Sequence, residues 1–160
     1  MYDWLQRWAT VAPDRIAIDE VERGRVTTYG ELDRRAQRLA TAWRSLGLVP
    51  GSRVAMLCSS RSEVFEALFA AAKSQLTLVP LNWRLSAPEL TNICADAAPS
   101  MLVYDDVHAE TAAALLDGHP VDVPVALESP AFGHHRRWED LIEGARTVAP
   151  SAVDLDDVPL

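Results

Sequence analysis

Two short polar segments stand where a folded chain could bind an anion or a metal. Ser59-Ser60-Arg61-Ser62 lies between a predicted strand and the start of a predicted helix, where backbone N–H groups can bind an anion. Asp105-Asp106 follows another predicted strand, and carboxylates at such strand ends can hold Mg²⁺ or accept a phosphoryl group. A plainer interpretation is favoured for both segments, because serine and aspartate at these positions commonly cap the helix that follows.

The third segment with chemical potential is His134-His135-Arg136-Arg137, the only basic cluster in the chain. A metal site there would need further ligands, and neither Cys58 nor Cys94 is near in sequence. We therefore expect a surface loop at this segment.

The sequence lacks the glycine spacing of a nucleotide-binding loop. A phosphate loop needs closely spaced glycines, so that backbone N–H groups can approach the phosphates. The closest of the seven glycines, Gly47 and Gly51, are four positions apart and straddle a predicted turn. There is no GxGxxG, GxxxxGK[ST] or GxSxG pattern, and Lys73 is placed to cap the end of a helix. We therefore assign no catalytic, cofactor-binding or metal-binding residue.

Composition narrows the class of protein. The chain has 160 residues and a net charge of −8, which is unevenly distributed. Residues 1–100 carry 12 basic and 11 acidic side chains, whereas residues 101–160 carry 3 basic and 12 acidic ones. A nucleic-acid-binding face would show clustered lysine and arginine, so no nucleic-acid partner is expected.

The sequence also lacks clear signals for membrane insertion, secretion or disulfide bonding. The apolar runs are far shorter than the roughly 20 residues of a membrane helix, so no transmembrane segment is predicted. The N-terminus does not have the pattern of a signal peptide. Two cysteines 36 positions apart do not form a disulfide framework, and a reducing cytoplasm fits.

Strands alternate with helices along most of the chain. Strands are predicted at 15–21, 25–28, 54–58, 76–81, 101–104 and 123–127, and helices at 2–11, 28–47, 60–73, 86–97, 109–116 and 138–145. The first two strands flank Arg23-Gly24, which predicts a hairpin-like turn. Three helix starts have the spacing of a capping box: Thr28 with Glu31, Ser60 with Glu63, and Ser86 with Glu89.

This alternation predicts an α/β fold: a partial doubly wound, mostly parallel sheet with flanking helices. We predict one α/β subdomain over residues 1–150. Residues 151–160 are then an acidic linker, leading towards a phosphate-loop region that the chain does not contain.

Three segments, in order and at fitting spacing, resemble the N-terminal part of the adenylate-forming acyl-CoA synthetases, the AMP-binding superfamily. TTYGEL at 27–32 is similar to the opening T/S-Y-x-E-L of that family, and LGLVPGSRVA at 46–55 to its L-G-x-x-x-G-D-R-V-A segment. VPLNWRL at 79–85, followed by PEL at 88–90, resembles V-P-L-N-x-R-L-x-x-x-E-L. The likeness covers residues 3–106, is looser to 150, and returns at DDVPL, 156–160.

One departure from the family pattern stands at the end of the third helix. Relatives carry Gly-Ala after the lysine, whereas Gln75-Leu76 follow Lys73-Ser74 here. The helix must therefore end without glycine at its C-cap.

The resemblance implies a parent fatty or aryl acid–CoA ligase that uses ATP, Mg²⁺ and CoA. A carboxylate would attack the α-phosphorus of ATP to give an acyl-adenylate, and the CoA thiolate would then displace AMP. The family's nucleotide-binding segments lie beyond this chain, so the 160 residues are expected to be structural and inactive alone. Their partner would be the remainder of the ligase. Arg84 would be a buried ion-pair anchor near the boundary with that partner. An unpaired sheet edge would cause the isolated chain to self-associate.

Two other classes remain open at this stage. One is a stand-alone flavodoxin-like binding or signalling domain, with Asp105 or Asp106 as its acidic site and Lys73 as the only available lysine. The other is a non-catalytic pseudo-enzyme that binds a partner or a lipid.

Overall fold

A computed structural model describes residues 3–129 and 135–145 of the chain. It opens with a short helix, α1 (Trp4–Val11), and an antiparallel pair of strands, β1 (Ile16–Glu20) and β2 (Arg25–Thr28). Gly24 has a φ of 61° in the turn between them, a left-handed conformation that glycine adopts without steric cost. The predicted hairpin is therefore confirmed.

The main sheet has five parallel strands in the order β4-β3-β5-β6-β7. Their bounds are β3 (Arg53–Leu57), β4 (Thr77–Leu81), β5 (Met101–Tyr104), β6 (Val123–Ala126) and β7 (Arg136–Arg137). The chain first moves from β3 to β4 and then returns past β3 to β5. That reversal makes the sheet doubly wound, as the sequence predicts.

Helices cover both faces of this sheet. Their bounds are α2 (Tyr29–Ser45), α3 (Ser62–Ser74), α4 (Ala87–Ala97), α5 (Ala109–Gly118) and α6 (Trp138–Gly144). One core lies on the side of α2, α3 and α6 and contains the fully buried Trp43 and Trp138, whose rings meet edge to face. The second core lies on the side of α4 and α5, around Leu90, Tyr104 and Leu115.

The predicted buried strand 76–81 is instead an edge strand, β4, that is largely exposed or half-buried. The Thr77 N–H donates to the Ser52 carbonyl on the β3 side, so Val79 also faces β3 and Pro80 faces the open edge. Proline has no N–H to offer there, which makes this edge a poor template for a further strand.

Of the three predicted capping boxes, one is complete, at α4, and one is half-formed, at α2. The Ser86 backbone N–H donates to the Glu89 carboxylate, completing the box at α4, and Thr28 Oγ1 accepts from the Glu31 N–H at α2. The box predicted from Ser60 is wrong: Arg61 occupies the N-cap position of α3 without a side-chain capping bond. The guanidinium of Arg61 is held elsewhere, as described below.

Gln75 ends α3 in the left-handed conformation, with a φ of 58°. The chain thus places a non-glycine residue where a left-handed C-cap favours glycine.

Replacing Gln75 by glycine is expected to raise the free energy of unfolding by about 0.5–1 kcal/mol, because strain at the cap outweighs the added freedom of the unfolded chain. Urea unfolding measures this difference. Ala114→Gly is the matched control at an exposed position inside α5, and it should lose about 1 kcal/mol. Equal losses at both positions would contradict the assignment of strain to Gln75.

Candidate functional site

The carboxyl ends of β3, β5 and β6 bring three polar residues to one edge of the sheet: Ser59, Asp105 and Glu128. Ligands of open α/β sheets bind at this edge, where the strand order reverses. Here the edge is closed by the chain itself, because the Ser59 N–H donates to Asp105 Oδ2 at 2.9 Å across the reversal point.

Asp105 is buried, with 2% of its surface exposed, and acts as a cap. Its other carboxylate oxygen accepts from the His108 N–H at 3.2 Å and contacts His108 Nδ1 at 2.5 Å. Burial raises the pKa of Asp105, but the bonds from Ser59 and His108 outweigh it and leave the pKa below the usual value. The capping interpretation is therefore confirmed for Asp105, whereas Asp106 is exposed.

The anion site that the sequence offers at residues 59–62, as the less favoured interpretation, gains no support from the structure, because carboxylates of the chain pair with this segment. Arg61 is 5% exposed and donates to Glu63 at 2.8 Å and to Glu128 at 2.5 Å. The Ser62 hydroxyl donates to Glu20 Oε2 at 2.6 Å. The side chains of Arg61 and Ser62 are thus paired with carboxylates of the chain itself and not with an external anion.

A buried ion network continues from this edge into the core. Glu66 on α3 is fully buried and accepts hydrogen bonds from Arg25 on β2 at 3.0 Å and from Arg35 on α2 at 2.7 Å. Trp138 Nε1 donates to the same carboxylate at 2.9 Å, and Arg35 also pairs with Glu139 on α6. One carboxylate thus connects the hairpin with three helices.

Lys73 forms its ion pairs with residues other than Asp105. Its ammonium contacts Asp3 at 2.5 Å and Asp33 at 2.8 Å, so it joins the start of α1 to α2 and α3. A receiver-type phosphorylation site needs a lysine at its acidic pocket, and the geometry therefore gives no support to the flavodoxin-like signalling alternative.

Arg84 does not form the buried ion pair expected from the sequence. Its side chain is exposed, and its guanidinium lies 4.1 Å from the centre of the Trp83 ring. No ion pair of Arg84 is found within residues 3–129 and 135–145. Trp83 is 41% exposed and its ring also neighbours His108, so this cluster lies on the surface.

The basic segment 134–137 is only partly the surface loop that the sequence predicts. His135 is 7% exposed and its Nδ1 lies 2.6 Å from the Tyr104 hydroxyl, whereas Arg136 and Arg137 are exposed on β7. His134 lies outside the described residues. The hydroxyl of a buried tyrosine provides the polar partner that a buried imidazole needs, a pairing that sequence spacing does not reveal.

A cavity of about 500 Å³ lies beside α5 and β6. Its lining is mostly apolar, with Leu116, Val121 and Pro124, and includes Asp117, Asp122 and His135. It is an open surface cleft rather than an enclosed site, and no group of three or more metal-ligating side chains occurs among the described residues.

Both cysteines are buried and unpaired with each other. Burial and the nearby Asp105 carboxylate raise the pKa of Cys58 to about 12, and burial raises the pKa of Cys94 as well.

We expect neither thiol to react with a disulfide reagent within minutes at pH 7.5, because both are shielded and protonated. Unfolding in guanidinium should release two reactive thiols per chain. Rapid reaction of one thiol in the folded chain would contradict the burial of that cysteine.

The model of the family described as "AMP-binding enzyme" matches residues 5–158. The chain belongs to the AMP-binding enzyme family. The recognition of an N-terminal portion of this family from its sequence segments is thereby confirmed.

Curated relatives of this family member include acid–CoA ligases. It is 41% identical over 121 residues to a feruloyl-CoA synthase of Amycolatopsis sp., covering 76% of the chain and 24% of that enzyme. It is 32% identical over 148 residues to an indoleacetate–CoA ligase of Aromatoleum aromaticum, covering 92% and 28%. The chain thus spans about a quarter of the length of the curated relatives it matches.

Solved structures show the same fold. The N-terminal domain of FACL13 from Mycobacterium tuberculosis has a TM-score of 0.80 at 26% identity, over 93% of this chain and 36% of that one. An anthranilate CoA ligase, AuaEII, has a TM-score of 0.84 at 20% identity, over 92% of this chain and 28% of that one.

The buried polar residues at the carboxyl edge of the sheet are engaged within the chain. At the carboxyl edge of the sheet, Asp105 is engaged by backbone and imidazole donors, and Glu128 by Arg61. No described group of ligands can hold a metal ion, and no described helix is long and apolar enough to cross a bilayer. The polar residues of this edge hold the fold together.

Proposed function

We propose that the chain is the N-terminal α/β portion of an ATP-dependent carboxylic acid–CoA ligase. The whole enzyme would form an acyl-adenylate and then an acyl-CoA thioester. The observation that carries this proposal is the match to the AMP-binding family over residues 5–158, with feruloyl-CoA synthase and indoleacetate–CoA ligase among the relatives.

The substrate is proposed to be a fatty or aryl carboxylic acid. Relatives act on ferulate and indoleacetate, and a fatty acid–acyl-carrier-protein ligase of Streptomyces coeruleorubidus is 45% identical over 83 residues. ATP, Mg²⁺ and CoA would be held by residues outside this chain. Two unpaired cysteines support a place for the enzyme in a reducing cytoplasm, with a role in fatty acid or aryl acid metabolism.

This portion would serve as a scaffold and be inactive alone. At the carboxyl edge, Asp105 pairs with Ser59 and His108, and Glu128 pairs with Arg61, so these buried or half-buried charges are engaged within the chain and not with a phosphoryl group. We also propose a boundary near residue 150, with the acidic segment 151–160 as a linker to the rest of the ligase.

A chimera tests the proposal. The chain would replace the matched N-terminal segment of the Amycolatopsis feruloyl-CoA synthase, and feruloyl-CoA formation would be compared with the parent enzyme. The parent lacking that segment is the control and should be inactive. Activity of the chimera within about 100-fold of the parent is expected, a loss of under 3 kcal/mol in transition-state stabilisation. A chimera no more active than the deletion control would contradict the proposal.

A further inference from the structure

An ordinary surface helix buries its apolar side chains and exposes its charged ones. Helix α3 shows the reverse arrangement. Its two carboxylates, Glu63 and Glu66, are buried at 5% and 0% exposure. All three of its exposed residues are apolar: Phe65, Leu68 and Ala72. These three lie at i, i+3 and i+7, so they form one continuous stripe along the outside of the helix.

The inward carboxylates remain buried because arginines from other elements neutralise them. Arg61 and Arg25 pair with Glu63, and Arg25 and Arg35 pair with Glu66. The inner face of α3 is thus fixed by ion pairs, and the outward direction of Phe65 and Leu68 follows from the same rotation of the helix. Phe65 and Leu68 keep 46% and 47% of their surface exposed.

Helix α1 also exposes apolar side chains, Trp4, Trp8 and Val11, but α3 is the only described helix whose exposed residues are all apolar. Each of the other five exposes at least one charged side chain, as follows: Arg7 on α1, Arg34 on α2, Asp96 on α4, Glu110 on α5 and Asp140 on α6. A helix that is apolar on its outer side is normally covered on that side too.

The sheet edge beside α3 does not offer an alternative means of attachment. Pro80 faces outward on β4 and cannot donate to an added strand. At the opposite edge, β7 has only two residues. Strand addition is therefore disfavoured at both edges of the sheet. Packing of another part of the protein against the outer side of α3 is the remaining means of attachment.

We propose that the outer face of α3 (Phe65, Leu68 and Ala72) is the surface on which the remaining part of an AMP-binding ligase packs. This inference rests on the proposed function. The occupant follows from the length of the relatives, because the chain matches only 36% of the FACL13 domain and 24% of the feruloyl-CoA synthase. The unmatched majority of such a protein must contact this portion, and α3 presents the apolar surface that such a contact requires.

Leu68→Glu tests the surface in two settings, the isolated 160-residue chain and the chimera with feruloyl-CoA synthase. In the chimera, a charge forced into a packed interface should lower the melting temperature by about 5 °C or more. In the isolated chain the same side chain is exposed, and the melting temperature should change by no more than about 2 °C.

Ile93→Glu is the matched control, since Ile93 is exposed on α4 across the sheet. It should leave both proteins unchanged, and Phe65→Lys should repeat the Leu68→Glu result.

The outcomes separate this inference from the proposed function. An active chimera that tolerates Leu68→Glu as well as Ile93→Glu overturns the docking surface and leaves the ligase assignment standing. A chimera without activity before any substitution overturns the ligase assignment, and the docking surface with it. If Leu68→Glu unfolds the isolated chain, or only dissolves a dimer of it in light scattering, α3 serves this chain or a second copy, which also overturns the inference.

Discussion

Replacing Glu66 by alanine is expected to lower the free energy of unfolding by about 3–5 kcal/mol. The Glu66 side chain is fully buried and accepts four hydrogen bonds, two from Arg35, one from Arg25 and one from Trp138 Nε1. Its removal leaves buried donors without a partner and opens a cavity among four elements. A loss of this size is a large part of the roughly 5–15 kcal/mol that stabilises a typical domain.

Urea unfolding of the 160-residue chain measures this loss. Glu143→Ala on the exposed side of α6 is the matched control and should stay within about 0.5 kcal/mol of the unsubstituted chain. Glu66→Gln keeps the shape of the side chain and removes its charge, so it should fall between the two. A loss below about 1 kcal/mol for Glu66→Ala would show that the network does not connect the hairpin with the helices.

Stability is also expected to fall in acid through Glu63. Burial raises the pKa of this carboxyl, but the hydrogen bond and charge of Arg61, together with Arg25, outweigh burial and lower the pKa to about 2. The ordinary value is 4.5. The ionised form is thus favoured by folding, and its contribution, on the order of 3 kcal/mol, is fully present above the unfolded pKa.

The contribution should be lost progressively as pH falls from about 4.5 towards 2, because protonation removes the pairing with Arg61. Unfolding free energies of the chain and of Glu63→Gln, measured between pH 7 and pH 2, isolate this carboxyl from the others. Glu63→Gln should be clearly less stable at pH 7, and the difference should shrink towards pH 2. A constant difference across this range would contradict the assignment.

Local sequence signals predict the structure correctly for elements whose conformation is decided by residues close together in the chain. The alternation of apolar runs and capping residues predicts the bounds of β2 and β5 to the residue, the capping box of Ser86 and the glycine turn at Gly24. The doubly wound sheet follows from the same alternation, because parallel strands need helical crossovers.

Pairings between distant residues were not predictable in this way. For the segment 59–62 the sequence offers an anion site or capping by Ser60, but Arg61 pairs with Glu128, 67 positions away, and α3 begins after Arg61. The contact between His135 and Tyr104 is hidden for the same reason. The buried ion pair expected of Arg84 fails for a related reason, because the preceding strand β4 lies at the edge of the sheet and Arg84 is exposed.

The inverted orientation of α3 shows where a sequence pattern misleads. A helix with two glutamates and two phenylalanines suggests that the acids face water. Arg25, Arg35 and Arg61 reverse that expectation, because their guanidinium groups pair with the carboxylates and offset the cost of burying the charge. The reversal becomes visible only when the partners from other elements are placed.

ATP–pyrophosphate exchange by the purified 160-residue chain, with Mg²⁺ and a panel of fatty and aryl acids, tests the central claim most directly. The feruloyl-CoA synthase of Amycolatopsis serves as the positive control under the same conditions. We predict exchange at the level of the enzyme-free blank, since Asp105, Arg61 and Glu128 at the carboxyl edge of the sheet are all paired within the chain. Exchange above that blank that depends on the added acid would contradict the account of this chain as a scaffold.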